Sequence, residues 1–322
     1  TPDSRIDANI EFLSSDYIRQ NSSNYNDLLR NNIYSNVSYF QNFENIGASL
    51  SAAYSREQEL QSGNISEVLP SISFTKSVFY PFRSDEIKSD EAWYEKLGVS
   101  YSGQFQNNRK TTDGVFDVRG GIRHSISLSL SPKIGYINIT PNVSYQELWY
   151  NKQIERTSIY VPAGSSADMV NSYNYSLMAA NSVKDSIVTQ DVDRLGFVRT
   201  FRVGLSATTK LYGIFPVNAL GIASMRHTVI PTLSYDFQPD FSSDGWGYFG
   251  SYVDAAGRAV KYNRFEREIF GGASSGEQQN MRLGLSNIFE IKTKPDLNDT
   301  TSKEKKIQLL NLNAGISYNF AA

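Results

Sequence analysis

The residues of this chain that could do chemistry are few. His124 and His227 are its only histidines, and each follows an arginine, Arg123 or Arg226, near the start of an apolar alternation. An imidazole can act as a general base or a metal ligand, but both take the apolar parity of their runs and read as interfacial, strand-end histidines. No motif singles out one serine from the many as a nucleophile, so a serine–histidine lipase has no assignable centre. Asp236, Asp240 and Asp244 recur at intervals of four around a turn containing Gly245. The calcium loop carries ligands at alternate positions instead, so these read as solvated loop carboxylates. Lys303, Lys305 and Lys306, interrupted by Glu304, read as a solvated turn. There are no cysteines, which excludes disulfides, thiolate metal sites and cysteine nucleophiles within the chain. No catalytic residue, metal or cofactor is expected.

The elements carrying these residues are strands. Ile126-Ser127-Leu128-Ser129-Leu130-Ser131 shows the pattern that fills the chain, in which serine or asparagine alternates with apolar residues. Side chains alternate faces along a strand, so each run has one greasy and one wet face. A soluble sandwich would bury the greasy face against a second sheet, whereas a membrane barrel turns it to lipid. Hydrophobic residues make up 40% of the chain and mean hydropathy is −0.40, with no stretch approaching the roughly 18 apolar residues of a spanning helix. That average does not exclude a membrane, because alternation hides barrel strands from it. With 31 basic and 33 acidic residues the net charge is −2, and no overall field draws the chain to nucleic acid. Thr1 begins without methionine or a leader, so the chain reads as an excised piece whose export signal was removed or lies upstream.

Period-two alternation predicts about eleven strands, over 5–13, 33–41, 47–57, 68–77, 93–106, 116–131, 135–150, 194–211, 219–238, 279–293 and 307–320. Many exceed the five or six residues usual in soluble sheets and suit a tilted crossing of a bilayer. Ile126, Leu128, Leu130, Ile137, Ile139, Val143, Tyr145, Leu233 and Tyr235 are expected to face lipid. Asn138, Thr140, Asn142, Ser144 and Gln146 are expected to line a hydrated lumen, together with Arg123, Arg202, Arg226 and Arg282. The connections 14–32, 151–193 and 239–278 are long and polar and are placed outside. Those at 42–46, 132–134 and 212–218 are short, and 78–90 breaks the alternation, as if a strand were missed there. Aromatic residues, 13% of the chain, gather at strand ends as Trp93 and Tyr94, Trp149 and Tyr150, and Tyr212 and Phe215, like the girdles of outer-membrane barrels.

Pro70, Pro141 and Pro231 sit inside alternating runs although proline donates no ladder hydrogen bond. Each marks either a bulge in the barrel wall or the true start of its strand. The segments around them, Leu69-Pro70-Ser71-Ile72-Ser73-Phe74, Tyr136-Ile137-Asn138-Ile139-Thr140-Pro141-Asn142-Val143 and Arg226-His227-Thr228-Val229-Ile230-Pro231-Thr232-Leu233-Ser234-Tyr235, resemble in this order segments of the LPS-assembly outer-membrane protein family, LptD. Met281-Arg282-Leu283-Gly284-Leu285-Ser286-Asn287 is similar to a late barrel strand of that family. Order and spacing carry the resemblance, which spans nearly the whole chain.

The resemblance implies a very large antiparallel transmembrane barrel in the outer membrane of a Gram-negative bacterium. Family members receive lipopolysaccharide from a periplasmic bridge through an N-terminal jellyroll. They release it into the outer leaflet through an opening between the first and last strands, around a lipoprotein plug and without catalysis. No jellyroll is visible here, and about eleven strands are too few for a closed barrel of that kind. The expected fold is therefore all-β, a single, open middle portion of the barrel over 1–322. Two other readings stay open: a passive porin or other uptake barrel, and a soluble β-sandwich adhesin.

Overall fold

The computed structural model describes residues 3–11, 32–84, 92–162, 182–217, 219, 221–254, 256–294 and 304–321. Its elements are β1 (Ser4–Asn9), β2 (Asn32–Phe43), β3 (Ala48–Glu59), β4 (Ile65–Phe79), β5 (Gly98–Thr112), β6 (Val115–Ser129) and the short β7 (Lys133–Ile134). The tall pair β8 (Ile137–Pro162) and β9 (Ser182–Thr209) follows, then β10 (Leu211–Pro216), β11 (Ile222–Gln238), β12 (Phe249–Val253), β13 (Ala259–Asn263), β14 (Gln278–Thr293) and β15 (Lys306–Asn319). Every pairing in the main sheet is antiparallel, and its order is β1-β2-β3-β4-β5-β6-β8-β9-β11-β14-β15, with β7 against β8 and β10 against β11. Each long strand lies beside its chain neighbour, as tight turns dictate. Asp113 and Gly114, both at positive φ, close the two-residue β5–β6 hairpin in the manner that matches strand twist. Strands β1 and β15 are the two edges of the sheet and do not pair with each other among the described residues. The fold is thus an open, all-β antiparallel sheet.

Each of the eleven expected strands overlaps one of the eleven along the main sheet, with shifted ends: β1 stops at Asn9, 93–96 is a 3-10 turn rather than the start of a strand, and β8 and β9 reach well beyond 150 and before 194. No further strand stands between β4 and β5 in the sheet order, since the two pair directly, and 85–91 lie outside the described residues. The described part of that connection ends in a 3-10 turn, Trp93–Lys96. Residues 212–216 form β10 rather than a turn, pairing with β11, and the Val217 amide donates to the Ala223 carbonyl at 3.3 Å. The described parts of the connection expected at 151–193, 151–162 and 182–193, are strand, since β8 and β9 stay in register from Lys152↔Asp193 to Val161↔Lys184. Its charged residues masked the alternation. The connection at 14–32 lies almost wholly outside the described residues.

None of the three prolines starts a strand. Pro70 sits in a β-bulge, where Val68 to Ser71 on β4 opposes only Asn108 to Gln106 on β5, and Asn107 Nδ2 donates to the Leu69 carbonyl at 2.8 Å. Pro141 keeps register with Leu205, and its carbonyl accepts from the Leu130 amide just past the end of β6. Pro231 keeps register with Leu285 and lies opposite the break between β9 and β10, where Thr208 Oγ1 donates to its carbonyl at 3.2 Å. Each missing N–H therefore falls where the neighbouring ladder is already interrupted.

The sheet has an apolar and a polar face. Along the apolar face, register joins Val99, Leu128, Val143, Val203 and Phe237 into one row. It joins Leu233, Leu283 and Ile316 into another. Leu205, Leu283 and Ile316 are 48%, 49% and 69% exposed, and among the described residues no second sheet covers this face, contrary to a sandwich. The larger buried cluster lies instead on the polar face, where 239–277 folds back over β8 and β9.

Candidate functional site

The polar face is built in rows by the ladder. Ser127, Ser144 and Arg202 form one row, and Ser129, Asn142, Gly204, Asp236, Asn280 and Asn319 the next. Thr140, Ser206, Ser234, Arg282 and Ser317 follow, then Asn138, Thr208 and Thr232. Ser125 and Gln146 pair above the first of these. Gly204 has no room for a side chain: a Cβ there would lie 2.7 Å from Asn142 Nδ2 and 2.8 Å from Asp236 Oδ1. All five uncharged residues expected at a lumen thus share one face and join across neighbouring strands into a continuous hydroxyl and amide surface.

The four arginines on that face are held differently. Arg123 donates to Gln104 Oε1 at 2.5 Å and lies 4.8 Å from the Phe270 ring centre. Arg202 donates to Gln238 Oε1 at 3.0 Å and Gln278 Oε1 at 3.1 Å. Arg226 is paired with Glu290, its register partner, while Arg282 stands between Ser234 and Ser317.

Sequence reasoning missed the segment that covers this wall. Residues 239–277 carry eight aromatic side chains, a density a solvated loop has no use for, and their lack of strand periodicity hid their role. Phe241, Tyr248, Phe265 and Ala273 are buried with Leu148, Tyr150 and Val198. The β12–β13 hairpin belongs to this strap. Tyr150, expected in an aromatic girdle, has the polar-face parity of β8 and donates to the Gly271 carbonyl at 2.6 Å. Gly196, its register partner, leaves space for Phe265, since a Cβ would come within 2.3 Å of that ring. Backbone groups join in: the Ile154 amide donates to the Arg264 carbonyl at 2.8 Å, and Tyr262 Oη accepts from the Arg156 amide at 3.0 Å.

Charge fastens the strap too. Glu268 has a fully buried side chain and accepts from Arg119 on β6 at 2.7 Å, while Arg119 also reaches Asp117 and Asp191. Burial holds the Glu268 carboxyl above its ordinary value, opposed by the attraction of Arg119. Arg156 pairs with Glu266. At the strap's start Asp240 accepts from the Ser242 hydroxyl and amide and the Gly276 amide, and these bonds hold its carboxyl below the usual range. Asp244 pairs with Lys261 at 3.1 Å. Two of the three spaced aspartates therefore organise loop structure. Among the described residues no group of His, Asp and Glu is arranged to hold a metal ion.

Between strap and wall lies a cavity of about 370 Å³, lined by Ser125, Ser127, Ser144, Gln146, Thr200, Arg202 and Gln238 from the sheet and by 272–274 from the strap.

The apolar face carries the residues expected there, Ile126, Leu128, Leu130, Ile137, Ile139, Val143, Tyr145, Leu233 and Tyr235, in rows with Val203, Leu205, Leu283 and Leu285. At one level these aliphatic rows end in a ring ladder across five adjacent strands. Phe74, Tyr101, His124, Trp149 and Phe197 follow at centroid separations of 6.1, 6.1, 5.0 and 5.9 Å. His124 Nδ1 is 2.7 Å from Tyr101 Oη. His227 stacks flat on Phe289 at 4.2 Å and meets Asn287 at 3.1 Å. Both histidines are thus members of aromatic contacts on the apolar face.

A protein-family profile described as LptD protein matches residues 1–322. Neither curated proteins nor solved structures give a match.

Proposed function

Because the chain belongs to the LptD protein family, a family of lipopolysaccharide assembly and transport in the Gram-negative outer membrane, we propose that its sheet is part of the wall of an outer-membrane translocon. In this reading the wall passes lipopolysaccharide to the outer leaflet. The observation that carries it is the division of one sheet into an uncovered apolar face and a hydroxyl and amide face bearing its own strap. The β8 stretch from Ile137 to Trp149 spans about 40 Å of extended chain. At the usual barrel tilt of ~40° it rises about 30 Å, the thickness of a hydrocarbon core. The ring ladder at Tyr101, His124 and Trp149 then lies at one headgroup level, and Tyr136 and Tyr212, both largely exposed, near the other.

The apolar rows through Val143 and Leu233 meet lipid, and the rows through Asn138, Thr140, Asn142, Ser144 and Gln146 face a hydrated lumen. Uncharged hydroxyls and amides offer many weak hydrogen bonds and no deep trap, which suits a passage for sugar chains or a seat for a lipoprotein plug. Further strands paired on the free edges of β1 and β15 complete the barrel, and a periplasmic bridge delivers the substrate through an N-terminal domain. No step of this reading is catalytic.

The test uses the full gene product purified in detergent, with photocrosslinkers at Asn142 and Val143. Lipopolysaccharide captured at Asn142 and not at Val143, with a lipoprotein co-purifying, is the expected result. A detergent-bound barrel with neither would favour the porin, and a monomer soluble without detergent would overturn the membrane reading.

A further inference from the structure

We propose that the cavity between the strap and the polar face is a subsite for an acidic sugar unit, one bearing a carboxylate or phosphate group. The inference deepens the transport reading, on which it rests, by assigning one place on the wall to one chemical part of the substrate. The cavity's volume of about 370 Å³ falls in the range of small-molecule sites, ~300 to 1,000 Å³. Beside Ile126, Tyr145, Phe201 and Ala273, its lining carries neutral donors and acceptors: the hydroxyls of Ser125, Ser127, Ser144 and Thr200 and the amide of Gln146. Such a surface matches the hydroxyls of a sugar ring.

The one charge in the lining is the Arg202 guanidinium, and no carboxylate lines the cavity. The two side-chain acceptors of Arg202 are the amide oxygens of Gln238 and Gln278, which orient a guanidinium without neutralising it. Gln238 is itself buried and donates to Ser274 of the strap at 2.5 Å, so the arginine is fixed through a residue that joins wall and strap. Asp236, one row below, does not line the site. An exposed guanidinium with free donors, set among hydroxyls, favours an anion carried on a polyol.

The experiment is calorimetric titration of the detergent-purified full-length protein with galacturonate, glucose 6-phosphate and glucose. At least one acidic sugar is expected to bind saturably, and glucose roughly tenfold more weakly or worse, the scale of a lost charge-assisted hydrogen bond. A preference for galacturonate identifies a carboxylate as the recognised group, and the reverse a phosphate. R202Q should weaken acidic-sugar binding by a similar factor. Ser144→Phe should block it by filling the cavity. R5Q, on the edge strand β1 where Arg5 pairs with Asp7, should leave it unchanged. Equal binding of glucose, indifference to both R202Q and Ser144→Phe, or no binding of either acidic sugar in the millimolar range would overturn the proposal. Photocrosslinking at Asn138, on the same face outside the cavity, separates the two readings. Capture of lipopolysaccharide there without acidic-sugar binding sinks the subsite alone, and failure of capture sinks the transport reading.

Discussion

Arg119 Nη1 donates to Glu268 Oε1 at 2.7 Å across 149 positions of sequence, and this contact is the strap's buried ionic anchor to the sheet. The Glu268 side chain is fully buried and that of Arg119 is 15% exposed. Water therefore replaces little of what either partner loses. Arg119 retains Asp117 and Asp191 if Glu268 is changed, whereas Glu268 has no second partner for its Oε2. The two ends of the bridge are thus unequal.

That asymmetry predicts that Arg119→Leu loosens the strap more than Glu268→Gln. The first leaves a buried carboxylate unpaired, at a cost of ~3 to 5 kcal/mol. The second keeps an acceptor for Arg119 and removes the charge. Hydrogen exchange at strap amides in detergent should show protection lost in R119L and mostly retained in E268Q. Equal protection in both would mean that the aromatic cluster alone seats the strap.

Gly196→Ala provides a second lever on the same docking. The added Cβ would meet the Phe265 ring at 2.3 Å, and that ring is locked between Tyr150 and the sheet, stacked on Tyr150 at 5.5 Å. Overpacking of this kind costs ~1 to 3 kcal/mol. Proteolysis of the strap should speed up while the strands of the main sheet stay resistant. A strap as resistant as the parent's would show that Phe265 has room to move.

The main sheet was legible because its signal is local. Ile126, Leu128 and Leu130 alternate with serines, and a one-residue slip in register would move the whole apolar set of such a run to the other face. The five uncharged polar-face residues and the nine apolar-face residues follow from the same parity. The strap was illegible for the complementary reason. Phe241, Phe265 and Phe270 contact residues such as Val198, Tyr150 and Gly121, far away in sequence and brought near only by the sheet. Tyr150 was misjudged beside Trp149 because adjacent residues on a strand face opposite ways, and strand-end position alone does not say which. Arg119 drew no notice, since a partner at Glu268 has no spacing rule.

The strap should respond to pH with two opposite slopes. Glu268 has a folded-state pKa above its unfolded value near 4.5. The folded form then binds more protons in that window, and docking weakens as pH rises from about 4.5 through the raised folded value. Asp240 has a folded-state pKa below its ordinary 3.8, so its contribution is present above 3.8 and lost as pH falls through the depressed value. Strap protection measured against pH should fall on both sides of a mildly acidic optimum. D240N should remove the acid-side loss and E268Q the loss on the other side. A flat profile in the parent protein would refute both assignments.

Asn142 and Val143 place the two faces one residue apart on β8, which makes them the sharpest test of the membrane reading. Val143 lies in the apolar row of Leu128 and Val203, while Asn142 lies in the polar row of Ser129 and Gly204. Val143→Asp sets a charge on the face assigned to lipid, costing roughly 2 to 4 kcal/mol near the bilayer midplane. Asn142→Leu adds an apolar side chain of similar size to the face assigned to the lumen and, on that assignment, exposes nothing new to lipid. Folding of each variant into lipid vesicles, followed by heat-modifiable migration, should show V143D inserting far less than the parent and N142L inserting almost as well. Equal tolerance at the two positions would remove the ground for assigning one face to lipid. The opposite ranking would exchange the two faces, moving the strap and its cavity to the outside of the wall.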